Sequence, residues 1–276
     1  MRLSLCNEVI REAEFARQCA MAAEMGYAGL ELAPFTLGED AWRMPASRRA
    51  EIRRAAKDAG LAISGLHWLL VAPAGLSITT DDKAAWAHTV EVMRALVGMC
   101  GELGGSYLVH GSPAQRRIAG QGDRKAAAQR AEAAWAAIAD DAAAARVAYC
   151  IEPLAPQEAD FLNTLDEAAA IIGRIGKPAL RTMIDTSATA QVEKEPVAEV
   201  VRRWMPTGLV AHVQLNDRNR RGPGEGDDRF APVIRALKDT GYDGWLAMEP
   251  FVYRPDGPSC AARAIGYVRG LLEALE

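Results

Sequence analysis

VAYCIEPLAPQEADFLNTLDEAAAIIGRIGKPALRTMID, residues 147–185, contains a whole strand-helix-strand repeat. VAYCIE (147–152) and LRTMID (180–185) are short apolar runs that each end on a carboxylate, the pattern of a strand buried on both faces up to its last residue. Between them, Thr164-Leu-Asp-Glu167 has the spacing of a capping box and predicts a helix through AAAIIGRIG. The same alternation runs outward in both directions. RLSLC (2–6), AGLEL (28–32), LAISGLHW (61–68), SYLVH (106–110), LVAHVQL (209–215) and GWLAME (244–249) complete a set of eight strands. Their starts lie 26 to 45 residues apart, which leaves room for a crossover helix each time. EAEFARQCAMAAEMG places Phe15, Cys19, Ala22 and Met25 at three- and four-residue steps before the stop at Gly26. AWAHTVEVMRALVGMCGELGG and the Ala-rich GDRKAAAQRAEAAWAAIADDAAAA read as long helices.

No Pro/Gly/Ser-rich linker interrupts the 276 residues. Eight strands alternating with helices predict an α/β fold, a (β/α)8 TIM barrel formed by 1–276 as one domain, with a doubly wound sheet as the alternative. GYAGLEL (26–32) and GYDGWLAME (241–249) share a helix-stop glycine, an aromatic, a second glycine and a glutamate at or near the strand end, an echo expected of repeated βα units.

Composition narrows the class of function. Hydrophobic residues make up 50% and charged residues 25%, the balance of a chain with one sizeable core. A net charge of −4 gives no general attraction to phosphate backbones, so a nucleic-acid partner is not expected. Cys6, Cys19, Cys100, Cys150 and Cys260 are scattered with no C-x-x-C pair, consistent with free thiols in a reducing compartment. No apolar run approaches the ~20 residues of a membrane span. The expectation is a cytoplasmic protein with no membrane partner.

In such a barrel the chemistry belongs at the C-terminal ends of the strands. Glu152, Asp185 and Glu249 end strands five, six and eight, and Gln214 lies near the end of strand seven. Taken singly, each acid could cap the next helix or pair with a rim arginine. Together, at 33, 29 and 35 residues apart, they come from four consecutive strands about 4.8 Å from one another. Three carboxylates so placed repel, and a hard divalent cation that prefers carboxylate and amide oxygen resolves the conflict. His67 and His110 end strands three and four and are expected to line the pocket, with Trp68 and Phe251 as an apolar wall. Glu31, at the end of strand two, is left to bind substrate or a rim arginine. Arg116 and Arg117 follow GSP and would either receive a phosphate or be solvated, the latter favoured for Arg117. GPGEGD (222–227) does not follow a strand as a phosphate loop would, and reads as a turn into a helix near Phe230.

Glu152 in IEPL, Asp185 in MIDTSA, the AHVQLND stretch and Glu249 in MEPF resemble the metal-binding quartet of the xylose isomerase-like TIM barrels, the sugar and sugar-phosphate isomerases and epimerases. Within them the chain is most similar to the ketose 3-epimerase and hydroxypyruvate isomerase branch, and the resemblance is strongest from Glu152 to Phe251. It implies one divalent metal on Glu152, Asp185, Gln214 and Glu249, Mn²⁺ or Mg²⁺ first and Co²⁺ or Zn²⁺ after them. Glu158 and Arg220 match residues that hold the oxygens at one end of the sugar, and a homodimer or homotetramer is implied as well.

Two departures matter. The seventh-strand ligand of the 3-epimerases is a histidine, whereas Gln214 stands here, as in the HVQ of hydroxypyruvate isomerases. His212, two residues earlier on the same face, is the runner-up ligand or a hydrogen-bonded histidine deeper in the barrel. The 3-epimerases also carry a histidine three residues after the sixth-strand aspartate, where this chain has Ala188. The resemblance implies an isomerase or epimerase of a small keto-sugar or hydroxy-carbonyl compound, working through an enediolate with Glu152 and Glu249 as acid and base. A lyase or dehydratase of a keto-sugar or keto-inositol is the alternative. An AP endonuclease-type hydrolase would need a histidine-rich zinc site, and this chain has four histidines in all.

Overall fold

Strands β1 (Arg2–Cys6), β2 (Gly29–Leu32), β3 (Ala62–Leu66), β4 (Tyr107–His110), β5 (Ala148–Ile151), β6 (Leu180–Asp185), β7 (Val210–Leu215) and β8 (Trp245–Met248) pair in chain order, and β8 pairs back onto β1. Every pairing is parallel, so the sheet is a closed barrel with no free edge. The expected (β/α)8 architecture is what the computed structural model shows, over the described residues 1–275.

The helices return the chain from the end of one strand to the start of the next. They are α1 (Phe15–Met25), α2 (Ala46–Asp58), α3 (Lys83–Leu103), α4 (Arg124–Ala145), α5 (Leu165–Ile175), α6 (Thr186–Val192), α7 (Val197–Trp204), α8 (Phe230–Asp239) and α9 (Gly257–Ala274). Local chemistry sets their ends. Thr164 caps α5 by accepting the Glu167 N–H at 3.2 Å, while the Glu167 carboxylate accepts the Asn163 N–H at 2.6 Å. Gly26 closes α1 at φ 96°, a left-handed conformation in which its N–H reaches the carbonyls of Ala22 and Ala23. The turn after GPGEGD leads into α8 at Phe230.

The main apolar core lies between strands and helices, with Trp135, Tyr149, Phe230 and Leu30 among its buried members. A second cluster, Tyr107, Val109, Cys150, Met183 and Trp245, comes from strands alone. Its members on β4 are two apart, which fixes the parity of that strand: Tyr107 and Val109 belong to one face, Leu108 and His110 to the other. All five cysteines are buried free thiols. No described helix is long and apolar enough to cross a membrane.

Candidate active site

Glu152 and Glu249 stand one residue beyond β5 and β8, Asp185 is the last residue of β6, and Gln214 lies one residue before the end of β7. Register aligns Asp185 with Gln214, and Gln214 with Ala247. The strands thereby deliver Glu152, Asp185 and Glu249 to one point, with a carboxylate oxygen of each within 4.8 Å of the others. All three are at least nine-tenths buried. They line a cavity together with Trp68, Glu158, Arg220 and Phe251.

Burial raises the pKa of all three acids, and repulsion from neighbouring acids adds to it. Glu152 is pushed well above the usual carboxylate range by burial, then by Glu249 and Asp185, against the pull of Arg116. Burial raises Asp185 to about 7, although its Oδ1 accepts the Ala188 N–H at 2.6 Å. Burial also raises Glu249 to about 8, against the His67 ring that bonds it. Gln214, paired in register with Asp185, is fully buried and does not itself line the cavity, and its Oε1 has no hydrogen-bond partner among the described residues. Three crowded carboxylates and an unused amide oxygen form a donor set suited to a hard divalent cation, so the residues fit the metal that the sequence implies.

Each acid is held from behind. The Arg116 guanidinium is fully buried and donates to the carbonyl oxygen of Glu152 at 2.5 Å, so it serves the backbone under an acid and receives no phosphate; Arg117 is exposed. A Cβ on Gly111 would collide with Glu152 Oε2, so the carboxylate occupies space that glycine leaves free. Glu249 Oε1 contacts His67 Nδ1 at 2.8 Å, and His67 Nε2 contacts Glu8 Oε2 at 2.9 Å. Burial alone would lower the His67 pKa; Glu8 and Glu249 outweigh it and raise it well above the usual histidine value. Asn216 donates to the Glu249 carbonyl at 3.2 Å and accepts the Ser187 N–H at 3.1 Å, tying β7 to the ends of β8 and β6.

The remaining expectations divide. Glu158 and Arg220 reach the cavity and face each other at 3.5 Å, with the guanidinium 4.8 Å from the Phe251 ring centre. The Arg220 carbonyl accepts the N–H groups of Phe251 and Val252, both at 2.9 Å, so the rim of the cavity is pinned by its own backbone. Trp68 packs edge to face on Phe251 at 5.7 Å and on Phe35 at 5.3 Å, completing the apolar wall. His67 lies behind Glu249 and is not among the cavity-lining residues. His110 corrects the reading that placed it in the pocket. Its Nδ1 contacts the Tyr149 hydroxyl at 2.7 Å and the indole nitrogen of Trp135 on α4 at 3.2 Å, because the parity of β4 turns it to the helix side. His212 takes the deeper of its two alternatives, stacked 3.8 Å from Tyr107 with Nε2 2.9 Å from Glu31. Glu31 is neither at the rim nor in the cavity: it is fully buried among Tyr107, His212 and Gln214. Glu8, Gly111 and Asn216 were not singled out from the sequence.

Comparison with known proteins identifies the family. Residues 19–271 match the family model described as xylose isomerase-like TIM barrel. A D-psicose 3-epimerase of Agrobacterium fabrum is 35% identical over 115 residues, 42% of this chain and 39% of that protein. An L-ribulose 3-epimerase of Mesorhizobium japonicum is 27% identical over 179 residues, 65% of this chain and 59% of that protein. The matched stretches thus span less than two thirds of either relative. The crystal structure of a D-psicose 3-epimerase in the presence of D-fructose superposes with a TM-score of 0.82 over 99% of both chains at 22% identity, a likeness of fold. With the family model covering most of its length, the chain belongs to the xylose isomerase-like TIM barrel family.

Proposed function

We propose that the protein is a divalent-metal-dependent isomerase or epimerase of a small keto-sugar or hydroxy-carbonyl compound. The observation that carries this reading is the convergence of Glu152, Asp185 and Glu249, with Gln214 in register with Asp185 and its amide oxygen unpartnered among the described residues. Those four residues would hold the cation. When bound, the cation supplies positive charge to the oxygens of the enediolate that forms as the neighbouring C–H proton leaves.

The chain's own residues do the rest. Glu152 and Glu249 come from strands that are not neighbours, and they reach the cavity from different sides of Asp185. One removes the proton from the carbon next to the carbonyl and the other returns a proton, to the opposite face in an epimerase or to the neighbouring carbon in an isomerase. Glu158 and Arg220 take hydroxyl or carbonyl oxygens at one end of the substrate. Trp68 and Phe251 cover an apolar face and exclude water. The 3-epimerase relatives support a carbohydrate substrate, and Ala188 stands where the resemblance implies a histidine in the 3-epimerases.

Ketoses and their phosphates, incubated with the protein and Mn²⁺ in deuterated water, test the reading. Deuterium uptake at the carbon next to the carbonyl, with the substrate's mass otherwise conserved, is expected for at least one. Loss of water would show a lyase, and absence of exchange with every substrate while metal binds would overturn the reading. Gln214→Ala is expected to weaken Mn²⁺ binding by about 10–100-fold, and His212→Ala to do less.

A further inference from the structure

Gln214 is the one member of the quartet whose side chain has a wrong way round. An amide offers an oxygen at one end and an NH₂ at the other, and only the oxygen can bind a cation. On β7, Gln214 stands beside Asp185. Its Nε2 donates to Glu31 Oε1 at 2.7 Å, and its Oε1 is buried with no partner.

The polarity of that pair is dictated by Glu31. Glu31 is fully buried, and its second oxygen takes the Tyr107 hydroxyl at 2.5 Å and lies 2.9 Å from His212 Nε2. The Tyr107 hydroxyl also lies 3.0 Å from Ser64 Oγ and its ring stacks on His212 at 3.8 Å, so the carboxylate is fixed on several sides. Were the Gln214 amide turned over, its oxygen would face a carboxylate oxygen and a buried hydrogen bond to a charged group would be lost. We propose that Glu31 is a positioning residue that locks the Gln214 amide with its oxygen presented to the cation. This rests on the reading of Gln214 as a metal ligand. It assigns a role to a buried acid on β2 that touches neither cation nor substrate, and it explains how a glutamine serves at this position without offering its NH₂ group instead.

Calorimetric titration with Mn²⁺ alone tests this on the full chain, with thermal unfolding of each metal-free variant to confirm folding. E31Q is expected to bind Mn²⁺ about 10–100-fold more weakly, the usual loss when a ligand's supporting partner goes. The swap E31Q/Q214E reverses donor and acceptor while leaving an oxygen for the cation. It is expected to bind more tightly than either single variant, an interaction that a merely structural role for Glu31 would not produce. E31Q at wild-type affinity while Q214A binds weakly, or two changes whose effects simply add, would overturn the proposal and leave the ligand reading intact. Q214A at wild-type affinity would remove the ligand reading itself, and the proposal with it. If E31Q does not fold, E31D draws the carboxylate back by one methylene. The same weakening is expected, and full affinity in E31D would overturn the proposal.

Discussion

Glu31 and Glu249 are both glutamates buried in the same barrel, yet they ionise at opposite extremes. Burial pushes both upward. For Glu31 the His212 and His67 rings and the Tyr107 hydroxyl outweigh it and hold the acid at about 2, whereas Glu249 is raised to about 8 despite His67, with Asp185 and Glu8 adding repulsion. The partners set the sign. Around Glu8 and Glu31 the chain sets the rings of His67 and His212 against its own acids. Around Glu152, Asp185 and Glu249 it crowds three buried carboxyl groups whose raised pKa values its own cations do not offset. A cation is what the second group lacks, in keeping with the metal-dependent function proposed.

The largest effects should fall on the under-neutralised side. Glu152→Gln and Glu249→Gln each keep an oxygen for the metal while removing the proton acceptor, and conversion should fall by about 10²–10⁴-fold in either. Deuterium wash-in measured apart from net conversion sharpens this, since one surviving carboxylate can exchange a proton on one face without completing inversion. Near-normal conversion by either variant, with metal occupancy verified, would break the two-base scheme. Gly111→Ala should lower conversion by about 10²-fold through displacement of the Glu152 carboxylate alone. A crystal structure of that variant with Glu152 unmoved would remove the cause.

Stability should separate the two regions in opposite directions. His67→Ala strips Glu8 and Glu249 of their shared partner and should destabilise the metal-free protein by about 3–5 kcal/mol in urea unfolding. Asp185→Asn keeps a side-chain oxygen for the Ala188 N–H but removes one repelling charge. The metal-free protein should gain on the order of 2 kcal/mol above pH 7 while Mn²⁺ binding weakens. Loss of stability in both variants would erase the distinction.

This contrast also marks what the sequence made legible. The strands announced themselves because a parallel barrel buries both faces of each, so VAYCIE and GWLAME are nearly unbroken apolar runs, and an acid at such an end is conspicuous. The same property hid the orientation of His110. In SYLVH both faces are apolar, and nothing in the run says which one points inward. Glu8 carried no signal because it sits on the 3₁₀ turn Asn7–Ile10, past the end of the strand, where a glutamate reads as solvated. Gly111 carried no signal because what matters there is an absent side chain. The partnership of Glu31 and Gln214 joins strands on distant parts of the chain and exists only once the barrel closes.

The smallest expected effect is the dependence of the metal-free protein's stability on pH, and its sign follows from the same comparison. Asp185 at about 7 and Glu249 at about 8 lie above their ordinary values of 3.8 and 4.5, so the folded chain holds protons that the unfolded chain has released. His67, raised well above 6.5, acts in the same direction. The stability tied to these groups is therefore present at low pH and is lost as pH climbs through the folded-state values. Two other groups shape the curve elsewhere. Glu31, held at about 2, contributes stability above pH 4.5 that is lost only as pH falls toward 2. His110, lowered to about 3 by burial and by Arg116, makes stability rise between about 3 and 6.5 and has no further effect above that. Between pH 6.5 and 8.5 the under-neutralised cluster and its histidine govern the slope, and the melting temperature without metal should fall across that window. Saturating Mn²⁺ should flatten the decline, because a bound cation favours the ionised carboxylates and makes affinity rise with pH over the same range. Thermal unfolding from pH 6.5 to 8.5, with and without Mn²⁺, checks both. A metal-free melting temperature that rises with pH would mean that these acids find partners within the chain after all.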